Sequence, residues 1–152
     1  MNSLQQHIDD TYFMRIALQE AQKAYDSHEV PVGAVVVSDR KIIARAHNQV
    51  ECLKDATAHA EMLALSAAFN HLGGKYLRNC TLYVTLEPCL MCASATFWAK
   101  LSRLVFAASD SKLGYTTYHP FNPLHPQTKT DAGILQQASN QVLKTFFKNL
   151  RK

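Results

Sequence analysis

The chain lacks any apolar run long enough to span a bilayer, and its opening residues, MNSLQQHIDD, hold no apolar segment of the kind that marks a chain for export. The cytoplasm is therefore the expected compartment. Glycine and proline are sparse, five of each in 152 residues, and there is no internal repeat, linker or biased segment. With 47% hydrophobic and 18% charged residues the composition is that of a folding chain and excludes a disordered one. The length fits one domain spanning residues 1–152. Cysteines number four, Cys52, Cys80, Cys89 and Cys92, and a reducing compartment argues against a disulfide framework. The Cys89-x-x-Cys92 pair then calls for metal or redox duty. Acidic residues are scarce in the second half. Residues 1–87 hold 8 basic and 10 acidic side chains, whereas residues 88–152 hold 8 basic and 2 acidic, with none after Asp131. Such a gradient suits an anionic partner, nucleic acid first, or forms a solvated basic face.

Periodicity supplies the outline of the fold. Phe13, Ile16, Ala17, Ala21, Ala24 and Tyr25 share one helical stripe, with Asp9 or Asp10 as the expected N-cap. VPVGAVVVSDRKIIARAHN reads as two β-rich runs about a turn at Ser38 and Asp39, an antiparallel hairpin. Thr57 is expected to cap a helix with apolar Ala58, Met62, Leu65 and Phe69, ending at Gly73 and Gly74. CTLYVTL is a strand, PCLMCASATFWAKL a helix and RLVFAAS a strand, an alternation typical of parallel β-α-β units. YTTYHPFNPLHPQTK is a long loop and AGIL a short strand. The closing QQASNQVLKTFFKNLRK is a helix with Ala138, Val142, Leu143, Phe146 and Leu150 inward. Together these predict a three-layer α/β/α domain around a mixed sheet.

Four residues carry the chemistry. Pro88 favours a first helical turn, so Cys89 and Cys92 open a helix, and three residues apart they share a face. The positive end of the helix favours their thiolates. With Thr57 as cap, His59 and Glu61 lie early in the preceding helix, yet two positions apart they diverge by roughly 200°. They therefore do different work: His59 is a zinc ligand, and Glu61 handles the proton of a water molecule at the metal. His59, Cys89 and Cys92 leave one tetrahedral corner open, the mark of a catalytic zinc site. Two thiolates and a neutral imidazole cancel the zinc charge, which weakens its pull on water and makes a nearby carboxylate necessary.

His59-Ala60-Glu61 followed by Pro88-Cys89-Leu90-Met91-Cys92 matches the H-x-E…P-C-x-x-C signature of zinc nucleobase deaminases. Adding PVGAVVV at 31–37, His47-Asn48, TAHAEM at 57–62, TLYVTLEPCLMC at 81–92, DSKLG at 110–114 and the closing FFKNLRK, the chain resembles the cytidine deaminase-like superfamily, and within it the bacterial tRNA-specific adenosine deaminases. The resemblance implies a five-stranded mixed sheet, one catalytic zinc, a homodimer, and conversion of adenosine to inosine at the wobble position in the tRNA anticodon loop. It implies His59, Cys89 and Cys92 as ligands and Glu61 as proton shuttle. Asn48 would bond the base, and the Ala60 N–H would contribute where water attacks. The stretch ASATFWAKL departs from that pattern: aromatic-Trp-Ala-basic is similar to free guanine deaminases, so a free base or nucleoside is the alternative substrate. A non-catalytic zinc-stapled RNA-binding module is a second alternative.

Other residues have plainer readings beside the functional ones. His47, His119 and His125 are surface or loop histidines, Cys80 is a packed core thiol, and Cys52 lies in a polar loop without a partner. Tyr115, Tyr118 and Phe121 would stack bases or pack the long loop. Lys144, Lys148, Arg151 and Lys152 would meet tRNA phosphates or complement a helix dipole.

Overall fold

In the computed structural model, which describes residues 2–151, helix α1 runs from Ser3 to Asp26. It starts earlier than Asp9 or Asp10, because Asn2 is the cap: its side-chain oxygen accepts from the Gln5 N–H at 2.8 Å. The two aspartates lie within the helix and make long-range bonds instead, Asp9 to Arg40 and Asp10 to Tyr83 and Arg103. Strands β1 (Gly33–Ser38) and β2 (Lys41–His47) form the hairpin, and Asp39 and Arg40 turn it at φ 51° and 59°. A short α2 (Val50–Leu53) precedes α3 (Ala60–Leu72), which ends on Gly73 at φ 66°.

After α3 come β3 (Cys80–Leu86), α4 (Leu90–Ala99) and β4 (Arg103–Ala108), then a 3₁₀ turn at Tyr115–Tyr118 inside the long loop. Strand β5 is Lys129–Ala132, upstream of the expected AGIL, and α5 is Gln136–Leu150. Gly133 at φ 93° and Leu135 at φ 59° turn the chain out of extended conformation, so AGIL cannot continue the ladder.

The sheet has the order β2-β1-β3-β4-β5. The first three strands are antiparallel neighbours, whereas β3, β4 and β5 run parallel. Strand residues alternate between two cores, as a period of two requires. Ala34, Val36, Leu82, Val84, Leu104 and Phe106 face α3 and α4. Val35, Val37, Tyr83, Val105 and Ala107 face α1, joined by Ile134 and Leu135 before α5. Helix α1 seats on β1 at Gly33, where a Cβ would overlap the Ala17 carbonyl oxygen and lie 2.5 Å from Ala21 N.

Of the inward set expected on α5, Val142, Leu143 and Phe146 are half-buried, whereas Ala138 and Leu150 are exposed. Its one buried residue is Ser139, whose hydroxyl donates to the Thr85 carbonyl at 2.5 Å. Among the described residues no helix is long and apolar enough to cross a membrane.

Candidate metal centre

Both metal-bearing segments are helix starts. Helix α3 has His59 as N-cap, extended at φ −71° and ψ 151°, and α4 has Cys89 as N-cap at φ −70° and ψ 174°. Thr57 is not the cap: its hydroxyl donates to Asp55 Oδ1 at 2.7 Å and its N–H to the same atom at 2.8 Å, a local turn that delivers His59 to the cap. Pro88 likewise stands one residue before the Cys89 cap and outside the first turn. Neither side chain makes the capping bond to a free N–H of its own helix. They face each other.

His59 Nδ1 lies 3.6 Å from Cys89 Sγ and 3.5 Å from Cys92 Sγ. A tetrahedral zinc with sulfur at about 2.3 Å and nitrogen at about 2.05 Å separates those two ligands by about 3.6 Å. The donor set is therefore already at zinc spacing, and all three donor atoms lie within 4.8 Å of one another. The Glu61 carboxylate is outside this donor group. Glu61 is nevertheless only 5% exposed and packs beside the thiols, where burial pushes its carboxyl up to about 7.

The two sulfurs differ before any metal binds. A hydrogen bond from Cys92, then one from His59, brings the Cys89 thiol down to about 4, while the same sharing with Cys89, together with burial, drives Cys92 upward. His59 is raised chiefly by its bond to Cys89. Thiolate, imidazole and helix dipoles thus prepare a soft cation site.

Asn48 follows β2 and is buried near the start of α3. Its Nδ2 donates to the Val30 carbonyl at 3.3 Å, which fixes the amide orientation. Oδ1 is then the one buried side-chain oxygen or nitrogen among the described residues without a partner. An orphaned buried acceptor is rare in a folded protein and marks a place for a ligand's donor. Ala60, fully buried, is the first residue of α3, so its N–H has no acceptor within the helix.

Two carboxylates that the sequence reading passed over hold this site together. Glu87 accepts from Asp110 N at 3.1 Å, Thr116 N at 2.9 Å and the Thr116 hydroxyl at 2.8 Å. With the Tyr115 N–H bonded to the Pro88 carbonyl and a bridge between Cys89 and Gly114, Glu87 straps the DSKLG segment to the cysteine loop. Glu29, 1% exposed, accepts from Glu51 N and Cys52 N at 2.9 and 2.7 Å and anchors the stretch joining Asn48 to His59. The available signal was a glutamate entering an apolar run, as in YVTLEPC and HEVPVG.

The remaining candidates are not part of the donor group. His47 faces Glu20 at 3.4 Å, His119 is exposed, and His125 packs on Phe97. Tyr115 is buried against Phe106, whereas Tyr118 and Phe121 are exposed. Cys80 is buried and Cys52 exposed. Lys144, Lys148 and Arg151 line a shallow groove on α5, and Lys152 lies outside the described residues. Trp98 is 75% exposed, and nine positions from Cys89 it points about 180° away from that ligand.

This arrangement, a mixed sheet whose helix starts bring one histidine and two cysteines to zinc spacing beside a buried glutamate, defines a zinc-binding deaminase domain. The chain belongs to the cytidine and deoxycytidylate deaminase family, whose zinc-binding region matches residues 7–108. At finer grain it is 47% identical to the tRNA-specific adenosine deaminase of Aquifex aeolicus (strain VF5), over 92% of this chain and 95% of that protein. A solved structure from work on A-to-I editing by tRNA:A34 deaminases at the wobble position is 39% identical, with a TM-score of 0.82 over 88% of this chain and 99% of that one. The guanine deaminase of Bacillus subtilis is 36% identical, with a TM-score of 0.62 over 72% and 66% of the two chains.

Proposed function

We propose that residues 1–152 form one zinc-dependent deaminase domain, working as a homodimer, that converts adenosine to inosine at the wobble position of a tRNA anticodon loop. The single observation that carries the chemistry is the donor triangle of His59, Cys89 and Cys92, with Nδ1 3.6 and 3.5 Å from the two sulfurs and all three atoms within 4.8 Å, and with Glu61 buried alongside but outside it. Three ligands leave a corner for water, which a structural zinc staple would close. Zinc supplies Lewis acidity that brings a water molecule to nucleophilic strength near neutral pH.

The chain's own residues do the rest. Glu61, buried beside the ligands, takes a proton from the attacking water and gives it to the ring nitrogen beside the amino-bearing carbon. The hydroxide so formed adds to that carbon, its remaining proton passes by way of Glu61 to the amino group, the C–N bond breaks to release ammonia, and the carbonyl of inosine remains. The Ala60 N–H donates to the oxygen as charge gathers on it. Asn48 Oδ1 accepts from the nucleoside and orients it. Support for an RNA substrate over a free base comes from the tRNA-acting relatives, which match this chain at higher identity and over more of its length than the guanine deaminase does.

Glu61→Ala should keep stoichiometric zinc and lose inosine formation in tRNA by about 10²- to 10⁴-fold. An ammonia-release panel of tRNA, adenosine, guanine and cytosine identifies the substrate. A Glu61→Ala protein that holds zinc and turns over at the wild-type rate would falsify the mechanism, and release from guanine alone would sink the substrate assignment.

A further inference from the structure

A second charged feature lies at the other end of β3. Where β3 and β4 begin, a cleft of about 820 Å³ is lined by Arg78, Lys100, Arg103 and Lys129 and by the hydroxyl-bearing Thr81 and Ser102, with no carboxylate in its wall. The seven residues of β3 separate this cleft from the cysteine loop by about 20 Å.

Its charge is uncompensated from within. Arg103 is neutralised by Asp10 and Asp131, but among the described residues Arg78, Lys100 and Lys129 of the wall, and Lys75 outside it on the Tyr76 ring that Arg78 and Lys100 share, form no ion pair. For Lys75 and Arg78 the sequence explains why, since no aspartate or glutamate stands between Glu61 and Glu87, and the Asp131 near Lys129 is taken by Arg103. Three of these cations converge on one ring instead. Lys100 Nζ, Arg78 Cζ and Lys75 Nζ lie 4.5, 4.8 and 5.2 Å from the Tyr76 centroid. Charges gathered on one ring sit within about a Debye length of each other and repel, so an anion bound among them relieves repulsion as well as gaining attraction.

The lining selects the anion. Ammonium, guanidinium and hydroxyl groups present donors, and Ser102 Oγ already accepts from Asn79 N at 2.6 Å, which leaves its hydrogen to donate outward. Phosphate oxygens are acceptors only and are the usual partners of this side-chain set. A protein partner would need an apolar centre, and the one aliphatic residue in the wall, Leu101, is buried.

We propose that this cleft is a second RNA-binding surface, taking phosphodiester backbone of the tRNA outside the hairpin whose base enters the metal centre. The proposal rests on the tRNA reading above. Its test is a variant carrying Lys75→Gln, Arg78→Gln, Lys100→Gln and Lys129→Gln, none of which is a buried position. Binding and deamination are measured on full-length tRNA and on an isolated anticodon hairpin across a salt series.

For tRNA, affinity should fall about 10- to 100-fold at about 100 mM salt, and the slope of log K against log salt should shrink by about 3. Hairpin deamination should stay at the wild-type rate. Unchanged tRNA affinity and slope would overturn the proposal, as would an equal loss on the hairpin. A changed sedimentation mass with RNA binding intact would give the cleft to a protein contact and overturn it as well. Should the wild-type enzyme deaminate neither RNA, the substrate reading fails instead, and the binding arm still judges the cleft.

Discussion

Replacing Asp10 by asparagine isolates the strongest ionic contact in the fold. Asp10 is 4% exposed and accepts from both terminal nitrogens of Arg103 at 2.7 Å and from the Tyr83 hydroxyl at 2.7 Å, joining α1 to β3 and β4. Asparagine keeps the shape but loses the charge and turns an NH₂ toward one guanidinium nitrogen. Breaking one partner of a buried pair costs about 3–5 kcal/mol. Arg103 retains Asp131, itself half-exposed, so the lower end applies, about 3 kcal/mol. In a chain of this length that lowers Tm by about 6–12 °C. Urea denaturation of zinc-loaded protein reads it directly, with the slope unchanged. Because this network lies on the α1 face of the sheet and the metal ligands on the α3 and α4 face, zinc content should not change. A double variant that also carries Arg103→Met should recover part of the loss, since removing both charges leaves neither stranded. A loss below about 1 kcal/mol, or a double variant weaker than the sum of the two singles, would refute the view that Asp10 and Arg103 hold each other.

Gly33→Ala should destabilise by about 3 kcal/mol, because α1 backbone occupies the space of the added methyl; a wild-type urea midpoint would show that the helix can shift freely. Cys92→Ser should yield protein with substoichiometric zinc by metal analysis, and chelation of the wild type should lower Tm reversibly, binding at 1,000 times Kd being worth about 4 kcal/mol; a chelated protein with unaltered Tm would contradict a pre-set donor triangle. Glu87→Ala should raise amide exchange at Asp110 and Thr116 by about 10-fold, as each part-buried N–H loses a charge-assisted bond worth roughly 1.5 kcal/mol, while exchange in β1 stays put. For Glu20, burial raises the carboxyl, but bonds from Lys23, Arg45 and His47 outweigh it and hold the group below its ordinary value near 4.5. A depressed folded pKa means that its stabilisation is present above 4.5 and disappears as pH falls through the lowered value. The stability gap between wild type and Glu20→Gln should therefore be full at about pH 6 and close as pH falls through the lowered value; a gap that widens on acidification would reverse the sign.

How much of this was legible in the sequence follows from the range of each interaction. The ligands were readable because C-x-x-C spacing and an H-x-E start are set within one helical turn. The three-layer order was readable because β1 and β4 are apolar runs and β3 is a β-rich run between two helical patterns. Strand β5 was misplaced because all four of its residues are exposed, and its place comes from parallel register with β4 and from Asp131 meeting Arg103. Apolar pattern carries no such signal. The α5 stripe slipped because its one buried position is a serine, held by a carbonyl 54 residues away. Asp10 looked like a cap because its partners, Tyr83 and Arg103, stand 73 and 93 residues away.

The misassigned cap at Thr57 reveals the logic of the centre. Helices usually begin on a residue whose side chain binds their own free N–H groups, worth about 1 kcal/mol. Here α3 and α4 both forgo that bond, because the N-cap side chains, His59 and Cys89, turn toward a common point. The free amides and positive ends of two helices are then aimed at sulfur, carboxylate and any anionic oxygen between them. Fixing either ligand fixes the first turn of its helix, and Glu61 and Ala60 occupy the first turn of α3. The groups that bind metal and those that move protons are therefore one rigid unit. A disturbance that loosens the His59 cap must displace Glu61 with it, so loss of zinc and loss of proton transfer should appear together whenever the start of α3 is perturbed, and separately only when Glu61 alone is changed.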